Sequence, residues 1–328
     1  MTRKVLFAVA AALAVALPLA GAQAQEKLRF GHVGEPGSLF EASAKNYAAC
    51  TNPKLTGKGE VEVFGSSQLG SDEEMLQKLK LGQITFALPS TVMSSVTPEF
   101  GVFEMPYIVE NREHMAKIRD EVVMTTLETA AEKKGYQIIG VWENGFRHIT
   151  NNTRPINKPE DLHGIKLRTP KGTWRVKMFQ LYGANPSPMS FSEVFTALKT
   201  GVMDGQENPL AQIYSAKFQE VQKYLSLTGH VYTPAYVVVS KDNFAKLPAD
   251  VQKVLSDCAK ENSDWVYKKA AELDTDLLEK MKQSSITVNE ADKKAFIAAS
   301  KPIYDEFAKS VEGGPALIEA LQKLAPKS

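Results

Sequence analysis

The stretch KLRTP sets Arg168 at the end of a short β-rich run, with a Pro-Lys-Gly turn behind it. A second arginine, Arg147, follows another such run in WENGFRHITNN, and GVMDGQENPL places Gln206, Glu207 and Asn208 just ahead of Pro209. Trp142, Phe146, Phe191, Tyr214 and Tyr232 lie in the same stretches or near them. Guanidinium groups, an amide and apolar rings are what capture of a small organic acid requires. The planar fork of arginine grips both carboxylate oxygens, which the point charge of lysine does not, and rings exclude water from the contact. Spacing alone more often means an outward ion pair for a strand arginine and a core position for each aromatic.

Signatures of turnover are missing. The chain has no G-x-S-x-G elbow and no G-x-x-x-x-G-K-[ST] loop, and Gly57-Lys58-Gly59 lacks the third glycine of a dinucleotide fingerprint. His32, His114, His148, His163 and His230 show no metal-ligand spacing. Asp72, Glu73 and Glu74 start a helix, where its dipole favours negative charge without any catalytic role. The reading is a binding protein with no cofactor and no metal.

The elements that must position these residues alternate. LRFGHV (28–33), GEVEVFG (59–65) and ITFALPS (84–90) read as strands. Between them lie a helix over 38–50 and a second one, opened by a Ser71/Glu74 capping box and ended at Gly82. This order implies a mostly parallel sheet with helices on its faces. A helix over 112–134 and a strand over 136–142 follow. Turn-rich sequence then leads into the KLRT strand, two short helices ending at Gly183 and Gly201, and a later strand, which together make a second α/β unit. Val237, Val238 and Val239 suit a central strand, and 249–282 reads as one very long helix or two joined near Asp274. The fold class is therefore α/β with two lobes, and ligands of such sheets sit beyond the carboxyl ends of the strands.

With 328 residues, 43% hydrophobic and 23% charged, the chain can bury a core. Its 39 basic and 38 acidic residues leave a net charge of +1, which gives no reason to expect nucleic acid or an anionic membrane as partner. MTRKVLFAVAAALAVALPLAGAQAQ reads as an export signal cleaved after Ala24, with Arg3 and Lys4 ahead of an apolar run and an Ala-Gln-Ala site behind it. The mature chain is then expected outside the cytoplasm, in the periplasm of a host with two membranes. Cys50 and Cys258 are the only cysteines. Two readings stay open for them, one disulfide or two buried thiols, the second because Cys258 shares a helix face with Val251, Val254 and Leu255.

Six motifs occur in order: FGSSQLGSDEEMLQKLKLGQI, PEFGVFEMPYI, WENGFRHITNN, DLHGIKLRTP, PMSFSEVFTALKTGVMDGQENPL and FQEVQKYLSLTGHVYTP. Through them nearly the whole mature chain resembles the substrate-binding proteins of tripartite ATP-independent periplasmic (TRAP) transporters, the DctP-like family. The resemblance implies a periplasmic-binding-protein-like fold, two α/β lobes joined by a hinge and crossed by a long helix. It divides the chain into a first lobe (25–145 with about 234–273) and a second (146–233 with about 274–328). Arg168 is implied as the main salt bridge to a ligand carboxylate, Arg147 as a second contact and Asn208 as a hydrogen-bonding residue. Phe191 becomes a pocket wall, Pro89 and Ser90 the lip of the opposite lobe, and His230 and Tyr232 further candidates. One region departs from the family pattern, GEPGSLFEASAKNYAACTNPKLTGK, which carries Glu35-Pro36-Gly37 after the first strand and an Asn-Pro-Lys segment expected to lengthen the loop after Cys50, and because the first-strand loop contributes to selectivity, His32 and Glu35 join the candidates. Trp142 and Glu207 complete the set from their places beside the two arginine motifs. The implied partners are a small carboxylate, with a hydroxylated monocarboxylate such as a sugar acid leading, and the small and large membrane subunits of a transporter. The chain is expected to act as a monomer.

Overall fold

The computed structural model describes residues 26–326, so the export signal read in 1–24 lies outside the described residues. One sheet contains β1 (Lys27–Gly31), β2 (Glu60–Phe64), β3 (Phe86–Ala87), β4 (Tyr136–Phe146) and β10 (Tyr232–Ser240), in the order β2-β1-β3-β10-β4. The other contains β5 (His148–Asn151), β6 (Lys166–Thr169), β7 (Asn185–Pro188), β8 (Gly205–Asn208), β9 (Tyr224–Leu227) and β11 (Thr287–Glu290), in the order β11-β9-β5-β8-β6-β7. We call the lobes built on them lobe I and lobe II. In lobe I, β1 pairs in parallel with β2 and β3, because the helices Leu39–Leu55 and Asp72–Lys80 return the chain across the sheet. The capping box is formed as read, with Ser71 and Glu74 each accepting from the other's backbone N–H.

The lobes are joined three times. Arg147 links β4 to β5, and the segment 228–231 links β9 to β10; the Arg147 amide donates to the Val231 carbonyl at 2.9 Å, so the two links run side by side. The third link is Ala249–Lys282, a single helix of 34 residues and about 50 Å. It packs on β4 in lobe I and on the short helix Leu210–Ser215 in lobe II. Asp274 lies inside it and pairs with Arg112 Nη2 at 2.5 Å rather than marking a break. The C-terminal helices touch both lobes: Lys301–Ser310 packs on Thr173–Leu181, with Phe307 against Trp174, while Gly314–Lys323 packs on Pro98–Glu104.

Three local readings change. The strand expected over 136–142 continues to Phe146, because β10 pairs with it as far as Tyr232 opposite Phe146. Trp142 therefore sits inside a strand. Its ring lies 5.8 Å from Phe30 and 5.7 Å from Tyr47, its Nε1 donates to the Ala259 carbonyl, and it is fully buried. Trp142 is a core residue of lobe I and not a wall of the ligand site. The helix expected over 112–134 is interrupted by a π-helical stretch, Arg119–Leu127. Its sequence RDEVVMTTL crowds β-branched side chains, and Thr125 Oγ1 turns back onto the Glu121 carbonyl, both of which disfavour regular α-helix.

Cys50 and Cys258 form a disulfide between the helix Leu39–Leu55 and the long helix, closing a separation of 208 residues. Reduction, or replacement of both by serine, is expected to lower stability by about 2–4 kcal/mol. A thermal melt with and without reductant reads this as a fall of several degrees; an unchanged midpoint would remove the disulfide from the stabilising interactions.

Candidate functional site

The carboxyl ends of β6 and β8 meet at the face of lobe II that turns toward lobe I. Parallel pairing sets Arg168 beside Gln206, and Pro209, which has no N–H to continue the ladder, ends β8 just after Asn208. The glycine that opens β8 is obligatory for this approach, since a Cβ at Gly205 would collide with the Thr150 carbonyl on β5. Strand alternation then sends Glu207 to the face opposite Gln206 and Asn208.

Glu207 is fully buried and holds three partners. Arg147 reaches its carboxylate through Nε at 2.5 Å and Nη2 at 3.0 Å, Arg175 Nη1 lies 2.8 Å from each oxygen, and His230 Nε2 lies 3.1 Å from Oε2. Burial alone would raise this carboxyl; the two guanidinium groups and the imidazole overcome it and hold the acid well below the ordinary carboxylate range. Burial lowers His230 to about 4, so its ring is neutral at pH 7 and acts as a hydrogen-bonded strut between Glu207 and Thr228. Arg147 Nη2 also donates to Asn208 Oδ1 at 3.0 Å.

Arg168 differs from its neighbours. It is only 3% exposed, yet its Nε (2.9 Å) and Nη2 both donate to one acceptor, the Met189 carbonyl. Among the described residues no carboxylate lies within ion-pair distance of it, and Nη1 has no protein partner. Burial, then repulsion from Arg147, pushes its guanidinium down to about 9, so it remains a cation at pH 7. An isolated buried cation is costly, and the cost is offset once an anion pairs with it.

Lobe I approaches from the other side. Lys171, three residues after Arg168, pairs with Glu73 at 3.5 Å. Asp72 Oδ1 is buried without a partner; burial first, and Glu73 next, raise this carboxyl to about 7 against the opposing pull of Arg168. Ser90 Oγ donates to the Pro234 carbonyl and accepts from Asn144 Nδ2, whose side-chain oxygen takes a 3.5 Å contact from Gln212. Pro89 supplies its carbonyl to the Tyr236 amide. The lip of lobe I is thus rich in acceptors, while lobe II supplies the cations.

The sequence candidates separate on this geometry. Arg168, Arg147, Asn208 and Glu207 come together at the ends of β6 and β8. Phe191 is half-buried, 5.7 Å from Phe218, on the helix that follows the Met189 carbonyl gripping Arg168. His32 is fully buried in lobe I; its Nε2 lies 3.0 Å from Glu41 and its ring meets Phe40 edge-on. Glu35 accepts from Ser66 within lobe I. Tyr232 is buried against Phe146 at the junction of the lobes. Two residues were not anticipated. Arg175 looked like an ordinary helix charge in TWRVKMFQL, and Glu104 like one letter of PEFGVFEMPYI. Only the approach of the helix Thr173–Leu181 to the helix Pro98–Glu104 makes them neighbours, with Arg175 Nε 4.0 Å from Glu104 Oε2.

This arrangement of two α/β lobes has known counterparts. Residues 30–310 match the family described as bacterial extracellular solute-binding protein, family 7, or DctP. The chain belongs to this family. The 2,3-diketo-L-gulonate-binding periplasmic protein YiaO of Escherichia coli is 33% identical over 304 residues, 92% of this chain and 93% of that protein. The solved structure of the sugar acid binding protein DctPAm from Advenella mimigardefordensis, in complex with galactonate, is 32% identical with a TM-score of 0.88, covering 92% of this chain and 99% of that one. A TRAP periplasmic solute-binding protein from Sulfurospirillum deleyianum with bound succinate is 34% identical with a TM-score of 0.87, covering 92% and 100%. The chain is a DctP-type solute-binding protein, of a family that serves transport by binding. Among the described residues no helix is long and apolar enough to cross a membrane.

Proposed function

We propose that this DctP-type protein captures a hydroxylated monocarboxylate, a sugar acid, in the periplasm and delivers it to the small and large membrane subunits of a TRAP transporter. The observation that carries the ligand class is the charge count between the lobes. Three guanidinium groups there, Arg147, Arg168 and Arg175, stand against two carboxylates, Glu104 and Glu207, which leaves one positive charge, with Asp72, whose carboxyl burial raises to about 7, counted among the acceptors. One carboxylate neutralises it. The acceptors of Asp72, Ser90 and Asn144 at the other side suit hydroxyl donors better than a second anion. In this reading Arg168 makes the main salt bridge, Arg147 and Asn208 complete the carboxylate site, and Phe191 shields it. The named ligands of the relatives, galactonate and 2,3-diketo-L-gulonate, are of this class, while succinate in a third relative represents the alternative that the charge count disfavours.

Closure of the lobes follows from the same arrangement: the ligand touches both, so it binds the closed form better and shifts the population toward it. A thermal-shift screen of the chain from Gln25 onward, unfolded and refolded to remove carried ligand, tests the class. A micromolar binder at millimolar concentration adds roughly 4 kcal/mol, a shift of several degrees. A sugar acid that shifts the melt while its amide does not supports the reading; a panel in which no carboxylate shifts it overturns the reading.

A further inference from the structure

We propose that Glu104 is a specificity-determining residue acting through Arg175: its charge sets the site at one net positive charge and so selects monoanions over dianions. The inference rests on the carboxylate reading above and deepens it. Glu104 is 1% exposed and Arg175 fully buried, and the two face each other across the lobes with Arg175 Nε 4.0 Å from Glu104 Oε2. On its other side Arg175 gives Nη1 to both oxygens of Glu207, the same carboxylate that holds Arg147. Charge therefore runs in one buried alternating line, Glu104, Arg175, Glu207, Arg147, and Arg168 stands outside it without an ion-pair partner among the described residues.

The position of Glu104 is built and not incidental. It ends the helix Pro98–Glu104 with its carboxylate against the turn that opens Thr173–Leu181. A Cβ added at Gly172 would come within 2.9 Å of both its oxygens and 3.1 Å of Ser94 Oγ, so the glycine leaves room for the carboxylate. Yet neither oxygen has a well-formed hydrogen bond, and Arg175 Nε and Nη2 are likewise unpartnered. A buried acid and a buried base that satisfy each other's charge but not each other's hydrogen bonds contribute chiefly electrostatics to the site. Without the Glu104 charge three guanidinium groups would face one carboxylate, and the excess of two positive charges would match a dicarboxylate.

The test compares matched acids that differ only by a second carboxylate, galactonate with galactarate and gluconate with glucarate, by calorimetry on the full mature chain. Because each pair is measured on wild type and variant, any steric effect of the extra group cancels in the ratio of ratios. In Glu104→Gln the preference for the diacid over the monoacid is expected to rise about tenfold, as for unit charges near 10 Å at an effective dielectric constant near 20. Glu104→Asp, which keeps the charge, should leave the ratio near that of wild type. The double variant Glu104→Gln with Arg175→Met, which restores one excess positive charge, should return it there. Arg175→Met alone should weaken the diacid more than the monoacid, and provides the answer if Glu104→Gln does not fold. A wild-type protein that binds none of the four acids overturns the reading of the site and this inference with it. A wild type that binds them and a Glu104→Gln variant with an unchanged ratio overturns this inference alone.

Discussion

Arg168→Ala is expected to lose about 2–5 kcal/mol of ligand binding, roughly 30- to 5,000-fold in Kd, while the unliganded protein melts no lower than wild type. Both parts follow from one fact. The side chain is a buried cation whose only acceptor among the described residues is the Met189 carbonyl, so its removal relieves a desolvation penalty in the empty protein and deletes the counter-charge in the filled one. Loss of affinity together with an unchanged or raised melting temperature would separate ligand recognition from fold support. Arg168→Lys should also bind weakly, since an ammonium cannot keep two donors on Met189 and still present a fork to the ligand. Calorimetry against the acid found in the screen decides it: wild-type affinity in Arg168→Ala would sink the clamp.

Glu207→Ala should act in the opposite way and harm the fold itself. It strands Arg147 and Arg175 in a buried junction, a loss of about 3–5 kcal/mol for breaking a buried pair, read as a lower denaturant midpoint. A variant as stable as wild type would show that the cluster contributes little. The same cluster sets the acid limit of the protein. His230 is lowered by burial to about 4 in the fold but lies near 6.5 when unfolded, so the unfolded chain takes up a proton between those values and stability falls as pH drops from about 6.5 to about 4. Glu207 is depressed, so its contribution is complete above about 4.3 and is lost only as pH falls further, through its folded value. Melts across pH 7 to 3 should therefore show a decline that starts near pH 6.5 and continues below 4, where Glu207 takes over from His230.

Much of this molecule is legible along the chain because it is written in local chemistry. The Ser71/Glu74 box, the parallel β-α-β start and the valine-rich β10 need only short-range patterns, and each is found in the fold. The strand-end placing of Arg168 was readable for the same reason: a β-rich run followed by Pro-Lys-Gly stops where the crevice begins. The family follows from six motifs in order, which between them sample both lobes. Local pattern misled at Trp142, where an aromatic near an arginine motif looks the same whether it faces a ligand or a core. It was also silent on the cysteines, since the face shared by Cys258, Leu255 and Val251 does not say what lies opposite.

What the tertiary structure decided is which charges meet. Along the chain Arg147, Arg168 and Arg175 are equivalent basic residues within one stretch. In space two of them share Glu207, one of those also faces Glu104, and the third forms no ion pair among the described residues. Sequence determines that arginines stand at strand ends and helix starts, because secondary structure is a local response to side-chain type. It cannot determine which cation is left unpaired, because pairing depends on the three-dimensional sum of buried charges drawn from segments as far apart as residues 104, 147, 175 and 207. That sum, one positive charge in excess, is the ground on which we propose the space between the lobes as a site for an anion.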